Sequence, residues 1–381
     1  MKPRLLTLGV LLALLLLCAA PFVIWSAAPE RELDVVVLDN TVPDVSYREH
    51  RGLFWLLNNQ KYRSRTHGSY QDARDYYGFF PGEEHRFAIR MVPDPIAADL
   101  IYLADSYGVY EEEWYGDNAR GERSRRIYGG MRPDELAKVE RAVRGGTPLV
   151  VEFNTFASPT DGTTRERLYD LLRVEWSGWI GRYFKDLAEG GEVPVWAVTA
   201  YERQYEKPWE YTGEGFVLAD EHDTIIVLQP GTDYSGGNCE AIFDDAARTA
   251  LGVESGIRYR YWFDIVRLRE GARELGYFKL DLTRTGRERL EQLGVPASFP
   301  AVVRFEPGPY WSYYFAGDFV DTEAVPRLYQ AYGHDRFKAW LTYDRPQLEN
   351  QAFFWRVYAP MMRSILAETH ARSQEPGTGA R

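Results

Sequence analysis

Three short apolar segments, separated by helical patterns, constrain the fold of this chain more than any other feature. They cover residues 33–39, 98–105 and 147–154, and each is a nearly continuous run of apolar side chains. Runs of this length and composition are typical of strands that are buried on both faces. Helices are predicted between them, over residues 47–58 and 131–144, from apolar spacing and end signals. The alternation of strand and helix predicts a parallel sheet with helices on both faces.

The second half of the chain mixes strand and helix patterns. Residues 215–228 and 259–268 alternate more between apolar and polar side chains, which favours further strands that pair antiparallel. Residues 285–293 predict a helix, and residues 300–305 and 311–315 predict a hairpin. The sheet is therefore expected to carry added antiparallel strands.

The N-terminus carries an uncharged, mostly apolar run over residues 5–25, preceded by Lys2 and Arg4. About 20 such residues span a bilayer as a helix, and flanking basic residues stay in the cytoplasm. We therefore predict an uncleaved signal anchor over residues 1–28. It would make the protein a single-pass protein of the inner membrane, with its C-terminal part outside the cytoplasm. The alternative is a cleaved signal peptide that ends near residues 26–28.

Composition excludes several classes of protein. Hydrophobic residues make up 45% of the chain and aromatic residues 15%, which is enough for a substantial core and excludes wholesale disorder. The net charge of -11, from 56 acidic and 45 basic residues, argues against a nucleic-acid partner. Cys18 and Cys239 provide no disulfide framework, because Cys18 lies in the apolar N-terminal run.

The order of several weak motifs resembles a known superfamily. A strand that ends in Asp, at residues 99–105, is followed by Gly129-Gly130 and an acidic helix, and then by a glycine pair and the strand at 147–152. Together with the strand pair near residues 301–319, this order resembles the class I glutamine amidotransferase-like superfamily. The likeness is closest to members that are not amidotransferases, such as ThuA-like proteins and β-galactosidase trimerisation domains. The resemblance implies a three-layer α/β/α fold, flavodoxin-like and doubly wound, with a mostly parallel sheet.

On this basis the chain divides into three parts. The anchor at residues 1–28 precedes an amidotransferase-like domain at 29–335, and residues 336–381 form a C-terminal helix and a disordered tail. Apolar side chains between Phe353 and Leu366 keep helical spacing, but Arg356 and Arg363 interrupt them. These charges argue against a second membrane span, so we expect this helix to dock on the domain.

The turn after the third strand departs from the pattern of active amidotransferases. Such enzymes place a glycine-flanked cysteine there and a His-x-Glu pair later in the chain. Here the turn reads Asn154-Thr-Phe-Ala-Ser-Pro159, and none of the six histidines precedes a glutamate by two positions. Glutaminase chemistry is therefore not expected, and a non-catalytic domain is favoured. No HxH or HExxH spacing supports a metal site at the histidines. The strand-end carboxylates could also act as oxygen ligands for a divalent metal, but a structural role is favoured for each of them, and no metal or cofactor is predicted.

Polar residues that follow the predicted strands form the candidate ligand-binding rim. Ligands bind outside the carboxyl ends of the strands in an open parallel sheet. The residues expected there are Asp39, Asn40, Asp105, Glu152 and Asn154. Each of them also has a structural interpretation, because Asp and Asn after a strand commonly cap a helix or close a turn.

An aromatic stretch follows the helix after the third strand and supplies further candidates. Trp176, Trp179 and Arg182 alternate with two glycines, and sugars stack on aromatic faces while arginine holds carboxylates or phosphates. The alternative is aromatic packing under a loop. The aromatic segments at residues 76–81 and 107–115 allow the same two interpretations.

These residues predict a protein that binds a carbohydrate, another cell-envelope ligand or an envelope-protein partner. The alternative is a hydrolase that acts on glycans, with catalytic carboxylates drawn from Glu152, Asp105 and Asp318. His50 and His67 are candidate additions to the rim, although a hydrogen-bonded structural role is the simpler interpretation. Cys239 has no assignable base and is expected to be a structural thiol.

Overall fold

The computed structural model describes residues 2–116, 118–236, 239–322, 324–326, 329–343, 345 and 349–375 of the chain. The helices are α1 (Lys2–Ala27), α2 (Arg48–Asn59), α3 (Glu111–Tyr115), α4 (Pro133–Arg144), α5 (Gly162–Leu172), α6 (Val195–Tyr205), α7 (Asp245–Leu251), α8 (Arg284–Gln292), α9 (His334–Leu341), α10 (Glu349–Phe353) and α11 (Ala359–Ser373). A π-helical turn, Phe354–Tyr358, joins α10 to α11.

The strands are β1 (Arg31–Glu32), β2 (Val35–Asp39), β3 (Tyr62–Arg63), β4 (Tyr77–Pro81), β5 (Phe87–Arg90), β6 (Leu100–Leu103), β7 (Val109–Tyr110), β8 (Arg126–Tyr128), β9 (Leu149–Val151), β10 (Val174–Phe184), β11 (Gly215–Asp220), β12 (Ile225–Leu228), β13 (Cys239–Phe243), β14 (Ile257–Tyr259), β15 (Phe263–Leu268), β16 (Arg273–Lys279), β17 (Ser298–Phe305) and β18 (Ser312–Phe315).

A ten-stranded mixed sheet forms the centre of the molecule, in the order β14-β13-β16-β17-β18-β9-β6-β2-β4-β5. From β18 to β4, neighbouring strands pair in parallel. The predicted strands at residues 33–39, 98–105 and 147–154 are the parallel neighbours β2, β6 and β9. Leu38 pairs with Leu103, and Leu103 pairs with Val151. Their carboxyl ends therefore meet at one edge of the sheet, which becomes the rim of the candidate site.

The predicted flavodoxin-like, doubly wound and mostly parallel sheet is wrong. Both flanks of the large sheet are antiparallel, β4 with β5 on one side and β18 through β17, β16 and β13 to β14 on the other. A parallel pair needs a crossover of about a dozen residues or more, whereas β4–β5 and β17–β18 are joined by short connections. Such connections make each pair a hairpin, and the sheet is mixed as a result.

A second sheet of four antiparallel strands, in the order β12-β11-β10-β15, adds a further departure from the predicted fold. Its long strand β10 contains the stretch from Trp176 to Phe184, for which the sequence allowed either ligand binding or packing under a loop. Aromatic side chains fit a pleated, half-buried surface well. The register of β10 against β15 shifts between Trp176 and Trp179, so the strand is bulged at that point. Part of this sheet packs against α6, and the buried side chains between them form a separate apolar cluster.

The prediction of a membrane-spanning segment is also contradicted. Within the residues that the structure describes, no helix combines the length and the apolar character needed to cross a membrane. The predicted span over residues 1–28 and the predicted inner-membrane location are therefore not supported. The C-terminal end of α1 contacts the folded part of the chain. Trp25 Nε1 donates to the Asn59 carbonyl over 2.8 Å, and the Tyr332 amide donates to the Pro21 carbonyl over 3.0 Å.

The C-terminal helix packs into the main core, as its apolar spacing predicts. Phe354, Tyr358 and Met362 are buried in the same apolar cluster as the large sheet. Arg363, one of the two arginines that interrupt the apolar spacing, forms an ion pair with Asp335 over 2.7 Å at the edge of the helix. The predicted boundaries at residues 28 and 335 stay predictions, and the part of the predicted tail after residue 375 lies outside the described residues.

Candidate functional site

Polar side chains at the ends of the parallel strands form a buried hydrogen-bonded network. Asp39 Oδ2 lies 2.5 Å from Nδ1 of His50, and Asp39 Oδ1 accepts from the Thr41 amide over 2.9 Å. The Thr41 hydroxyl donates to Asp105 Oδ1 over 2.6 Å, and Asn154 Nδ2 donates to Asp105 Oδ2 over 3.1 Å. The network therefore joins the ends of β2, β6 and β9, as the sequence predicted for Asp39, Asp105 and Asn154.

Burial controls the charge of this network. It raises the pKa of Asp105 to about 8, and the nearby Glu49 carboxylate adds to the effect. Burial also raises the pKa of Asp39, while the hydrogen bond to His50 opposes the increase. The other nitrogen of that ring, Nε2, lies 2.9 Å from the carbonyl of Asp72. Because protein groups occupy these polar atoms, the network holds the strand ends in place and leaves few groups for a ligand.

The strand-end amides of Asn40 and Asn154 bond to other protein groups. Asn40 is buried, and its side chain donates to the Gly130 carbonyl over 3.2 Å. Asn154 has a φ of 63°, a left-handed conformation that Asn adopts more readily than most residues. The buried carboxyl of Asp264 lies nearby and accepts from the Tyr314 hydroxyl. The turn after β9 is thus a left-handed elbow that carries a carboxamide side chain.

Glu152 belongs to a different environment from Asp105. Its carboxyl accepts from the Tyr102 hydroxyl and, over 3.3 Å, from the Val320 amide. The Tyr102 and Tyr358 hydroxyls lie 2.8 Å apart. Burial raises the pKa of Glu152 well above its ordinary value. Glu152 therefore contacts the core beneath the C-terminal helix and does not contribute to the open cleft described below.

Asp318 lies near a second group of charges, on the side of α2. Arg48 Nη2 donates to Glu49 Oε1 over 2.7 Å, and Arg48 Nε lies 3.8 Å from Asp321 Oδ2. Burial, followed by the charges of Glu49 and Asp321, raises the pKa of Asp318 well above its ordinary value. The pKa of Asp321 rises to about 6 through burial, against the attraction of Arg48. The charge of Glu152 also contributes to the raised pKa of Asp318, so these two candidate carboxylates are neighbours.

An open cleft of about 640 Å³ lies beside the elbow, where the rim of the large sheet meets the four-stranded sheet. Six aromatic side chains line it: Tyr107, Tyr110, Phe153, Trp176, Trp196 and Trp262. Tyr107 is 36% exposed, and Tyr110, Trp196 and Trp262 are half-buried, whereas Phe153 and Trp176 are buried. Asn154 and Ser158 reach the cleft from the elbow. The accessible rings give this cleft flat apolar faces next to polar groups.

Ionised side chains also line this aromatic cleft. They are Glu113, Glu122, Asp220, Glu221, Asp223, Arg123 and the titratable His222. Arg123 makes a two-pronged ion pair with Asp223, at 2.7 and 2.6 Å, and its guanidinium lies 5.0 Å from the centre of the Trp196 ring. Glu221 pairs with Arg165 over 3.0 Å. The described lining therefore carries an excess of negative charge.

The aromatic stretch at residues 176–184 contributes only in part to the cleft. Trp176 lines it, and its Nε1 donates to the Trp179 carbonyl over 2.8 Å. Trp179 is buried in the main core. Arg182 is directed to Glu192, 3.2 Å away, and burial lowers the pKa of its guanidinium. Trp176 and Asn154 are thus brought together, whereas Trp179 and Arg182 lie elsewhere.

The remaining candidates have structural surroundings. His67 is partly exposed and lies 3.3 Å from the mostly buried carboxyl of Asp75, and Cys239 is a buried thiol whose pKa burial raises well above its ordinary value. Among the residues that the structure describes, His, Cys, Asp and Glu form no group of three or more that is arranged to hold a metal ion.

Comparisons with known proteins find resemblance only at the level of structure. No protein-family model matches the chain, and no curated protein sequence matches it significantly. A β-galactosidase from Bacillus circulans sp. alkalophilus aligns with a TM-score of 0.34 and 12% identity, over 76% of this chain and 30% of the enzyme. A carbohydrate deacetylase aligns with a TM-score of 0.32 and 8% identity, over 76% of this chain and 30% of the enzyme.

The exo-β-1,4-mannosidase Op5Man5 from Opitutaceae bacterium strain TAV5 aligns with a TM-score of 0.31 and 10% identity, over 87% of this chain and 36% of the enzyme. All three are carbohydrate-acting enzymes, and this chain spans about a third of the length of each. Similarity at this level establishes neither a family nor an activity, so the resemblance to the amidotransferase-like superfamily is not confirmed.

Several cleft residues were not among the predicted site residues. Trp196 lies in the first turn of α6, and Trp262 directly precedes β15. Both are far in sequence from the ends of β2, β6 and β9. Glu113 lies in the run Glu111–Glu113, which is most simply interpreted as a solvated helix face. In the sequence, only the local abundance of aromatic and acidic residues points to them. Their convergence depends on how the second sheet packs against the first.

Proposed function

We propose that the chain binds a carbohydrate in the aromatic cleft between the two sheets. The observation that carries this proposal is the set of accessible rings, Tyr107, Tyr110, Trp196 and Trp262, around a cavity of about 640 Å³. A pyranose ring presents an apolar C–H face, which stacks on an aromatic ring, and an edge of hydroxyl groups that need polar partners. The cleft offers both kinds of group, because Asn154 and several carboxylates lie beside the rings.

The arrangement of the rings favours an extended ligand over a single small molecule. Tyr107 and Tyr110 lie with ring centres 4.7 Å apart on the wall formed by β7 and α3. Trp196 and Trp262 lie 6.0 Å apart, with their planes 29° from parallel. Two separate pairs of rings provide two stacking positions along the same cleft, which suits an oligosaccharide.

Binding is favoured over hydrolysis by the positions of the candidate carboxylates. Glu152 is engaged with Tyr102 and Val320 behind the cleft, and Asp105 accepts three hydrogen bonds from Thr41, Tyr107 and Asn154. A glycosidase needs two carboxyl groups that face each other across the scissile bond. No observation of that kind favours the hydrolase alternative here.

The test is calorimetry or a glycan array with the wild-type chain and two tryptophan variants. Trp196→Ala removes a stacking face in the cleft and is expected to weaken binding about tenfold, which corresponds to roughly 1.4 kcal/mol. Trp340→Ala is the matched control, because Trp340 is 66% exposed and lies on α9, outside the cleft. Equal losses in the two variants, or full affinity in Trp196→Ala, would contradict the proposal.

A further inference from the structure

We infer that the aromatic cleft selects amino sugars with a free ammonium group over neutral and acidic sugars. This inference rests on the proposed carbohydrate binding and specifies its ligand. It follows from the chemistry of one wall of the cleft, where Tyr107 and Tyr110 lie beside Glu113.

The charge of the cleft supports a cationic ligand. Five acidic side chains line it, and three of them are paired with arginines: Glu122 with Arg120, Glu221 with Arg165, and Asp223 with Arg123 and Arg203. Among the described residues, Glu113 and Asp220 have no such ion pair, so they carry the negative charge of the cleft. Arg123 is already paired with Asp223 at two contacts, so it offers little to an anionic sugar. An acidic sugar would place its carboxylate among these carboxylates, where like charges repel.

Glu113 is the carboxylate best placed to receive an ammonium. Within the described part of the chain, no arginine, lysine or histidine nitrogen lies within 4.0 Å of its oxygens. The Arg48 guanidinium is paired with Glu49 and acts on Glu113 only at longer range. Glu113 is half-buried, so a cation paired with it would compete less with water than at an exposed carboxylate. Burial raises the pKa of its carboxyl, while a backbone hydrogen bond at Tyr110 opposes the increase.

The aromatic rings add a second attraction for the same group. A cation over the face of Tyr or Trp is attracted by the electrons of the ring. The cleft rings already receive cations in this way, since Arg123 lies over Trp196 and Arg165 lies 5.1 Å from the centre of the Trp176 ring. Among the described residues no guanidinium lies over the Tyr107 or Tyr110 ring, although the charges of Arg123 and Arg126 act on these rings at longer range, as does that of Glu113. An ammonium seated there would contact two rings and a carboxylate.

The experiment compares three tetrasaccharides by calorimetry at about pH 6: a β-1,4-linked glucosamine oligomer, its N-acetylated form and a galacturonic acid oligomer. The glucosamine oligomer should bind about five- to tenfold more tightly than its neutral form, and the galacturonic acid oligomer most weakly. The preference should shrink at high salt, because salt screens charge interactions. Glu113→Gln should reduce the ratio between the first two affinities to about one. Glu112→Gln changes an exposed neighbour outside the cleft lining and should leave that ratio unchanged.

The outcomes separate this inference from the proposed function. Equal affinity for the amino and N-acetylated oligomers would overturn the inference and leave carbohydrate binding intact. Tightest binding of the galacturonic acid oligomer, or an unchanged ratio in a folded Glu113→Gln variant, would also overturn it. Absence of binding to all three oligomers would contradict the proposed function itself. A lysine tetramer that binds more tightly than the glucosamine oligomer would show that the cleft recognises a basic peptide instead.

Discussion

The strand-end network and the aromatic cleft lie next to each other, yet they use polar groups in opposite ways. In the network, Asp39, Asp105 and Asn154 are bonded to other protein groups, and burial raises the pKa of both carboxyls. In the cleft, rings and carboxylates such as Tyr107 and Glu113 remain accessible. A polar residue at the carboxyl end of a strand is therefore not by itself a ligand-binding residue. The network holds the backbone that the cleft is built on.

This comparison predicts that changes in the network affect stability, whereas changes in the cleft affect binding. The largest effect is expected for His50→Ala, which leaves the buried Asp39 carboxyl without its partner. Breaking a buried pair by removing one member costs about 3–5 kcal/mol. Urea denaturation should show this loss in the free energy of unfolding. His67→Ala is the control, because the His67 ring is partly exposed and Asp75 keeps its ion pair with Arg74, so the loss should be less than about 1 kcal/mol.

The next effect concerns Asp264, the buried carboxyl beneath the elbow. Burial raises its pKa to about 7, from an ordinary value of 3.8. A carboxyl whose pKa is raised on folding stabilises the fold fully below pH 4, and this contribution is lost as the pH rises towards 7. Asp264→Asn should therefore reduce the loss of stability between pH 4 and pH 8 by roughly 2–4 kcal/mol.

The measurement is the free energy of unfolding of both proteins across that pH range. Asp161→Asn is a control with the opposite sign, because hydrogen bonds lower the pKa of Asp161, and its contribution changes only below pH 4. If the wild-type and Asp264→Asn proteins show parallel pH profiles, Asp264 does not titrate on unfolding.

A smaller effect tests the elbow where the two regions meet. Asn154→Ala and Asn154→Gly both remove the hydrogen bond to Asp105, but only alanine is strained at a φ of 63°. The alanine variant should be less stable than the glycine variant by about 1 kcal/mol. Equal stabilities in urea denaturation would mean that the turn relaxes out of the left-handed conformation.

The smallest effect on stability is expected for Arg123→Gln in the cleft. The ion pair with Asp223 is largely exposed, so its loss should change the free energy of unfolding by less than about 1 kcal/mol. A loss as large as that of His50→Ala would show that the cleft wall is part of the stabilising network and would remove the distinction between the two regions.

Much of the local structure could be predicted from the sequence. The strands β2, β6 and β9 and the helices α2 and α4 form where apolar spacing and end signals place them, and Asp39, Asp105 and Asn154 converge as expected. The sequence places Glu152 at the rim with these residues, but its side chain is directed to Tyr102 in the core. A strand-end position determines the edge of the sheet at which a residue lies, but its side-chain direction depends on what packs beside it.

The sequence by itself determined the parallel centre of the sheet, the docking of the C-terminal helix and the absence of a thiol at the elbow. These features depend on local patterns of apolar residues and on residue identity. Only the tertiary structure decided the antiparallel flanks, the contacts of α1 with the folded part and the aromatic cleft. They depend on how distant segments come together, such as those that bring Tyr107, Trp196 and Trp262 around one cavity. Local periodicity carries no information about such contacts, because burial between sheets is a property of the whole fold.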